Sequence, residues 1–108
     1  MTSRVSLSAY RGRAGREADV LPHLREEIVA LRSRGHVTRR PAAICRTPGG
    51  LYLVVFEWAS ERSVDDAHAD EVILEVWRRK ERILEYLAPS ELDTIDAPFA
   101  SFDVVEDA

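Results

Sequence analysis

Residues 51–58 read LYLVVFEW, in which every position except Glu57 is apolar. Its β-branched and aromatic side chains are typical of a strand. Side chains alternate between the two faces of a strand. One face then carries Leu53 and Val55, and the other carries Tyr52, Val54, Phe56 and Trp58. Antiparallel sheets often leave one face to water, whereas this strand predicts a sheet that is covered on both faces.

Three further strands are predicted around this segment. TPGG at residues 47–50 supplies the geometry of a turn, and residues 37–46 before it form the first strand of a hairpin. Residues 4–10 alternate polar and apolar side chains at period two, which predicts another strand. A last strand is predicted within residues 94–105, with a proline that places its beginning at an edge or a bulge.

Two helices are predicted between the strands. The first has Asp19 as its N-cap, apolar residues at helical spacing, and Gly35 as its C-terminal stop. The second begins at Ser63, carries a broad apolar stripe, and runs to about Leu87, just before Pro89. Both helices have an apolar side that suits packing on a sheet.

The element order is strand, helix, strand, strand, helix, strand, which is the split βαβ or ferredoxin-like arrangement. The predicted fold class is therefore α+β with an antiparallel sheet, and 108 residues correspond to a single domain over positions 1–108. Two helices cover only one face of such a sheet. A second copy of the chain is expected to cover the other face, which predicts a homodimer through sheet faces, a dimeric α+β barrel.

Composition excludes several function classes. The net charge of -4 disfavours nucleic acid, and the third strand lacks the basic residue of RNA-recognition modules, which share this element order. No stretch approaches the roughly 20 apolar residues of a membrane span, and residues 1–10 do not read as a signal peptide. The single cysteine, Cys45, has no intrachain partner for a disulfide. We expect a cytoplasmic protein that binds neither nucleic acid nor membrane.

The third strand and the helix after it carry a distinctive spacing. A G-x-x-Y-x-x-x-x-x-W pattern starts at Gly49 and ends at Trp58, and His68 follows ten residues later. With the element order, this pattern resembles the dimeric α+β barrel proteins, in particular the antibiotic biosynthesis monooxygenase group and the related haem-degrading monooxygenases. The resemblance extends from Val5 to about Val105.

The resemblance implies a ligand pocket between the helices and the sheet, entered near the end of the third strand. It implies a cofactor-independent monooxygenase acting on an aromatic polyketide-type or other phenolic small molecule. No metal or flavin is then needed, because the deprotonated substrate supplies electrons to oxygen. In that case Trp58 stacks on the ring and donates its indole N–H, His68 is the base, and Tyr52 and Tyr86 are further pocket residues.

Two other functions compete with this interpretation. In the haem-degrading branch, His68 would be the axial iron ligand and Trp58 would distort the porphyrin. The chain contains no asparagine or glutamine, so it lacks an asparagine that contributes to the site of characterised family members. This absence disfavours the haem-degrading branch. Ser6 or Ser8 could replace the asparagine only in part. The other alternative is a non-catalytic dimer with a small-ligand-binding or regulatory role.

Several polar and aromatic residues also have plain structural interpretations. On a continuous second helix, His68 lies about 110° from the centre of the apolar stripe, as a solvent-facing residue would. His23 lies opposite the apolar face of the first helix and is predicted to be solvated. Trp77 is predicted to be a core residue, and Lys80 either extends to the surface or points into the pocket. The three histidines are too scattered to predict a metal site.

Overall fold

The computed structural model describes residues 4–93, 95 and 100–108, and in them an open antiparallel sheet carries its helices on one face. In chain order the elements are β1 (Arg4–Gly12), α1 (Glu17–Ser33), β2 (Ala43–Arg46), β3 (Tyr52–Trp58), α2 (Ser63–His68), α3 (Glu71–Ile83), β4 (Leu84–Leu87), a 3₁₀ turn (Pro89–Glu91) and β5 (Asp103–Asp107). The strand order is β4-β1-β3-β2-β5. The architecture is α+β and compatible with a ferredoxin-like fold that has gained a fifth strand.

The helices cover the face of the sheet that carries the aromatic residues of β3. Val20, Leu24 and Ile28 of α1 are at most 1% exposed and pack with Tyr52 and Val54 of β3. Their spacing along α1 brings them to one side of the helix, as the apolar periodicity predicts. Within the described residues, no helix combines the length and the apolar character that a bilayer crossing requires.

The prediction of one long second helix was wrong. Two helices, α2 and α3, occupy this part of the chain, and Asp70 lies between them as the N-cap of α3, where its side chain accepts a hydrogen bond from the Val72 amide. α3 ends at Ile83 rather than near Leu87. The run LEYL after it fits a period of two as well as a helical period, and short apolar runs cannot be assigned by periodicity alone.

The last strand of the predicted βαββαβ order is β4, which directly follows α3 and pairs antiparallel with β1. The prediction had put this strand within residues 94–105. Of that range, residues 94 and 96–99 lie outside the described part of the chain, and residues 103–105 belong to β5, which pairs with β2 at the opposite edge of the sheet.

The first half of the chain follows the predicted order with shifted boundaries. α1 begins at Glu17, two residues before the predicted cap, and Gly35 after it has a φ of +78°, a conformation that glycine adopts without strain. β2 is shorter than the predicted strand over 37–46, because only Ala43–Arg46 pairs along β3, while Val37 forms a single bridge to Trp58.

The second face of the sheet is covered in part by the chain itself. Leu92, which follows the 3₁₀ turn, is 3% exposed and packs with Ala9 of β1, Cys45 of β2 and Leu53 of β3. Phe102, just before β5, adds to the same cluster. One apolar residue from each of three neighbouring strands is therefore removed from water without a second chain.

Leu92→Ala tests whether this internal cover stabilises the fold. Loss of a fully buried leucine side chain leaves a cavity, so we expect the free energy of unfolding to fall by about 2–5 kcal/mol in urea titrations. Val29→Ala is the control, because Val29 is 57% exposed on α1 and its truncation should change stability by about 0.5 kcal/mol or less. Equal effects of the two substitutions would show that Leu92 is not a core residue.

Candidate functional site

A cavity of about 510 Å³ lies between the helices and the aromatic face of the sheet. Its volume falls within the roughly 300–1,000 Å³ of typical small-molecule sites. Among the described residues, five with aromatic rings of Phe, Tyr or Trp line it, from four different elements: Tyr10, Phe56, Trp58, Trp77 and Tyr86. Aromatic rings on several sides favour a flat ligand that stacks on them.

The polar residues of this cavity divide into a buried floor and an exposed mouth. The floor consists of Tyr10, Glu27 and Lys80, which are 4%, 6% and 2% exposed. The mouth consists of lining residues whose side chains reach solvent, namely His68, Arg78, Glu81 and Tyr86. A ligand entering from the mouth therefore meets the floor at the end of its path.

A charged pair holds the floor together. The Lys80 Nζ donates to both carboxylate oxygens of Glu27, at 2.8 Å each, and to the Tyr10 hydroxyl at 2.7 Å. The Trp77 Nε1 donates to the same carboxylate at 2.8 Å. α1, α3 and β1 are thus joined at one point. A buried charge is stable only where such partners compensate it.

The Glu27 carboxylate keeps Lys80 charged. Burial by itself lowers the pKa of the Lys80 ammonium, but Glu27 and the Tyr10 hydroxyl together outweigh burial and hold the pKa above its ordinary value. The floor therefore holds a lysine ammonium in direct contact with the Glu27 carboxylate. The ammonium also lies 4.1 Å from the centroid of the Tyr10 ring, a cation–π contact.

The sequence contained a signal for this pair that the prediction did not use. Glu27 falls within the apolar stripe of α1, between Leu24 and Ile28, just as Lys80 falls within the stripe of α3. Opposite charges on the apolar faces of two helices that pack on one sheet can satisfy each other. Neither of the two positions predicted for Lys80, the surface or the pocket, included a charged partner on α1.

His23 corrects another prediction, because it is buried rather than solvated. It is 5% exposed, and burial lowers its pKa below the usual value for histidine. Within the described residues its Nε2 has no hydrogen-bond partner. The buried side of α1 is wider than its apolar residues alone indicate, since it also includes Glu27.

His68 lies at the mouth of the cavity. Its Nδ1 is 2.8 Å from the Val64 carbonyl oxygen, and because a carbonyl only accepts, Nδ1 carries the hydrogen. The neutral ring then has its lone pair on Nε2. The ring also contacts Trp77, with 4.8 Å between centroids. His68 is both solvent-exposed and part of the cavity lining.

The break between α2 and α3 explains why the predicted helical angle of His68 did not exclude it from the cavity. Asp70 accepts a hydrogen bond from Arg34 Nε at 2.9 Å and pairs with His36 Nε2 at 2.8 Å, and these partners hold the pKa of Asp70 well below its usual range. This cluster fixes the start of α3. The angular phase of a continuous helix therefore does not apply across Asp70.

Trp58 lines the cavity with its ring, but its indole N–H is already used. The Nε1 donates to Ser6 Oγ at 2.8 Å, across the β1–β3 pair. The predicted donation of this N–H to a ligand therefore has no support in the geometry. The ring stands edge-on to Phe56, at 5.1 Å between centroids, and both rings face the helices.

The two tyrosine candidates differ in position. Tyr86 on β4 lines the mouth, at 5.6 Å from the Tyr10 ring, and desolvation raises the pKa of its phenol, so it stays protonated at neutral pH. Tyr52 is not a lining residue. It is 6% exposed within the core, beneath the Arg46 guanidinium at 5.7 Å. Its register opposite Tyr10 puts it at the other end of β3 from Trp58.

Comparison with models of protein families, with curated proteins and with solved structures finds no match to this chain. Within residues 4–93, 95 and 100–108, no group of three or more histidine, cysteine or acidic side chains is arranged to hold a metal ion. The geometry therefore defines the site: an aromatic cavity with an exposed imidazole at the mouth and a charged pair at the floor.

A double-mutant cycle tests whether Glu27 and Lys80 depend on each other. Glu27→Gln and Lys80→Met each leave one buried charge uncompensated, so each should lower the free energy of unfolding by about 3–5 kcal/mol. The double variant removes both charges, while the introduced glutamine keeps an acceptor for Trp77. We expect it to be at least about 2 kcal/mol more stable than the sum of the two single effects predicts, as measured in urea.

The exposed pair between Arg79 and Glu26, at 2.8 Å on the same two helices, is the matched control. Glu26→Gln with Arg79→Met should give a coupling of about 1 kcal/mol or less, because water screens this pair. A coupling between Glu27 and Lys80 no larger than the control would contradict a buried, mutually dependent pair.

Proposed function

We propose that this protein binds a flat phenolic molecule in the cavity and oxygenates it without a cofactor. The observation that supports this most directly is the cavity itself, in which Trp58 and His68 line the same space with four other aromatic residues and Lys80. Aromatic walls favour a planar ligand, and the polar groups at the two ends suit one that loses a proton.

The proposed chemistry needs little from the protein beyond binding and proton transfer. His68 Nε2 accepts a proton from the bound molecule, and the resulting carbanion reduces molecular oxygen. In the simplest case a ring CH₂ becomes C=O, one oxygen atom enters the product, and the other leaves as water. The substrate supplies the electrons, so the balance is complete without a metal or flavin.

The position of His68 supports its role as the base. A hydrogen bond to the Val64 carbonyl oxygen fixes the tautomer, which leaves Nε2 as the nitrogen that can accept a proton. Solvent exposure at the mouth gives the accepted proton a path to water. Trp77 contacts the imidazole, with the two rings tilted at 56° to each other.

Binding without catalysis is the second candidate function, and the hydrogen bond between Trp58 and Ser6 favours it. The indole N–H that the enzyme interpretation assigns to the ligand already has a partner within the chain. A cavity of this size and lining can hold a small aromatic molecule for storage or regulation with no reaction.

Oxygen consumption with a panel of three-ring phenols and anthrone-like compounds separates these candidates. We expect uptake with at least one compound, and His68→Ala should reduce the turnover rate by about 10²–10⁴-fold, the usual contribution of a general base. Trp58→Phe keeps an aromatic ring in place and should change the Michaelis constant more than the turnover rate.

Asp65→Ala is the control for His68→Ala, because Asp65 is an exposed residue of the same helix and does not line the cavity. It should leave oxygen uptake unchanged. Binding of the panel, detected by quenching of tryptophan fluorescence, without any oxygen uptake would instead establish the non-catalytic function.

We also propose that the protein forms a homodimer through the second face of the sheet. Leu92 covers only part of this face, and Val5 and Leu7 of β1 remain 59% and 54% exposed. Leu7 lies opposite Val55 of β3, so these side chains form a continuous apolar area. A second copy placed on it would bury apolar surface that monomers seldom leave exposed.

Leu7→Glu tests the dimer. A charge at the centre of the proposed interface should shift wild-type dimers to monomers in sedimentation velocity at micromolar concentration. Val29→Glu introduces the same charge at an equally exposed valine on α1, and should leave the dimer intact. A wild-type protein that sediments as a monomer at these concentrations would rule out this interface.

A further inference from the structure

The hydroxyl group of Tyr10 is the one group of the cavity floor with a hydrogen left to donate. Lys80 Nζ has only donors, so the Tyr10 oxygen accepts in their 2.7 Å hydrogen bond. The Tyr10 hydrogen must therefore point elsewhere. Within the described residues, the hydroxyl makes no second hydrogen bond, although the side chain is 4% exposed and lines the cavity.

Lys80 and Glu27 have no such free capacity. The ammonium donates to Tyr10 and to both oxygens of Glu27, and the carboxylate also accepts from Trp77. A ligand oxygen cannot bind Lys80 without breaking one of these contacts. The charged pair instead acts on the Tyr10 hydroxyl, because a hydroxyl that accepts a hydrogen bond from a cation becomes a stronger donor.

We propose that Tyr10 binds the negatively charged oxygen of the ligand, and that Lys80 and Glu27 are the positioning residues that polarise and hold its hydroxyl. The inference rests on the proposed binding of a phenolic molecule and specifies the form that is bound, a phenolate or enolate. It assigns the floor a role that neither the Trp58–His68 spacing nor the resemblance indicated.

The surroundings of Tyr10 favour an anion over a neutral ether or hydrocarbon. Hydrogen bonds to charged acceptors are stronger than those to neutral ones, and water is scarce where three polar residues are at most 6% exposed. A ligand without an acceptor would leave the Tyr10 hydrogen unpaired in this buried place, which is unfavourable. The floor therefore selects ligands by their ionised oxygen.

The two ends of the cavity then have complementary tasks. His68 at the mouth accepts the proton that the ligand loses, and Tyr10 at the floor binds the oxygen on which the negative charge accumulates. Trp77 touches both ends, because its ring contacts His68 and its N–H donates to Glu27. A planar conjugated ligand can connect the two ends electronically.

The test compares two probes that differ in their ability to ionise, 4-nitrophenol and its methyl ether 4-nitroanisole. The visible absorption of nitrophenolate reports directly whether the bound molecule is ionised. We expect the wild-type protein to bind nitrophenolate more tightly than nitroanisole, and to raise the ionised fraction of bound nitrophenol above that in free solution at the same pH.

Tyr10→Phe removes only the hydroxyl. It should weaken nitrophenolate binding by about 10- to 100-fold, the range for a hydrogen bond to a charged group, and change nitroanisole binding by less than about threefold. Tyr52→Phe is the matched control, because Tyr52 lies directly opposite on β3, is equally buried and does not line the cavity. It should leave both affinities unchanged.

Lys80→Met tests the positioning role through the ligand spectrum rather than through stability. In a folded variant, the bound nitrophenol should be less ionised than in the wild-type protein, because Tyr10 is no longer polarised. If the variant does not fold, the comparison of the two probes with the wild-type protein still decides the question, since it requires no substitution.

Four results would overturn the inference. Equal affinity of the wild-type protein for the two probes would show that the floor does not recognise charge. The same conclusion follows if Tyr52→Phe loses as much nitrophenolate affinity as Tyr10→Phe. Either result leaves the proposed function intact, provided that the protein still binds aromatic rings and takes up oxygen. Loss in Tyr86→Phe but not in Tyr10→Phe would assign the donor to the mouth. Failure of the wild-type protein to bind either probe would overturn the proposed function together with the inference.

Discussion

A charge pair buried between two helices is the interaction on which the helix side of this protein depends. Lys80 and Glu27 satisfy each other, and through Tyr10 and Trp77 they connect α3, α1 and β1 at the cavity floor. Burial of either charge alone would be strongly unfavourable. The packing of the helices and the polarity of the floor thus rest on the same contacts, so that the site is built into the core instead of being added to a surface loop.

The mouth of the cavity depends on a second local constraint, the interruption between α2 and α3 at Asp70. Its carboxylate caps α3 and binds Arg34 and His36 after the end of α1, so that α2 and α3 are separate helices. α2 is thereby free to bring His68 beside Trp77, at the entrance. One capping residue therefore determines which side chains meet at the mouth.

The two faces of the sheet are covered in different ways. The helices cover one face, with the cavity between them and the sheet, whereas Leu92 and Phe102 of the same chain cover part of the other face. The apolar area that remains around Leu7 is smaller than the full face that β3 by itself suggests. Any second copy therefore meets a surface shaped by the C-terminal segment as well as by the strands.

The sequence by itself determined the α+β class, β1, β3 and α1, because their apolar periods are long and unambiguous. It also determined that Trp58 ends β3 and that His68 follows ten residues later. Only the tertiary structure decided where α3 ends and β4 begins, since LEYL suits either a helical period or a period of two. It also decided the sheet edges, because β4 pairs with the free edge of β1 and β5 pairs with that of β2. The same holds for the floor: each apolar stripe carries one charge, but Glu27 becomes the partner of Lys80 only when α1 and α3 pack side by side.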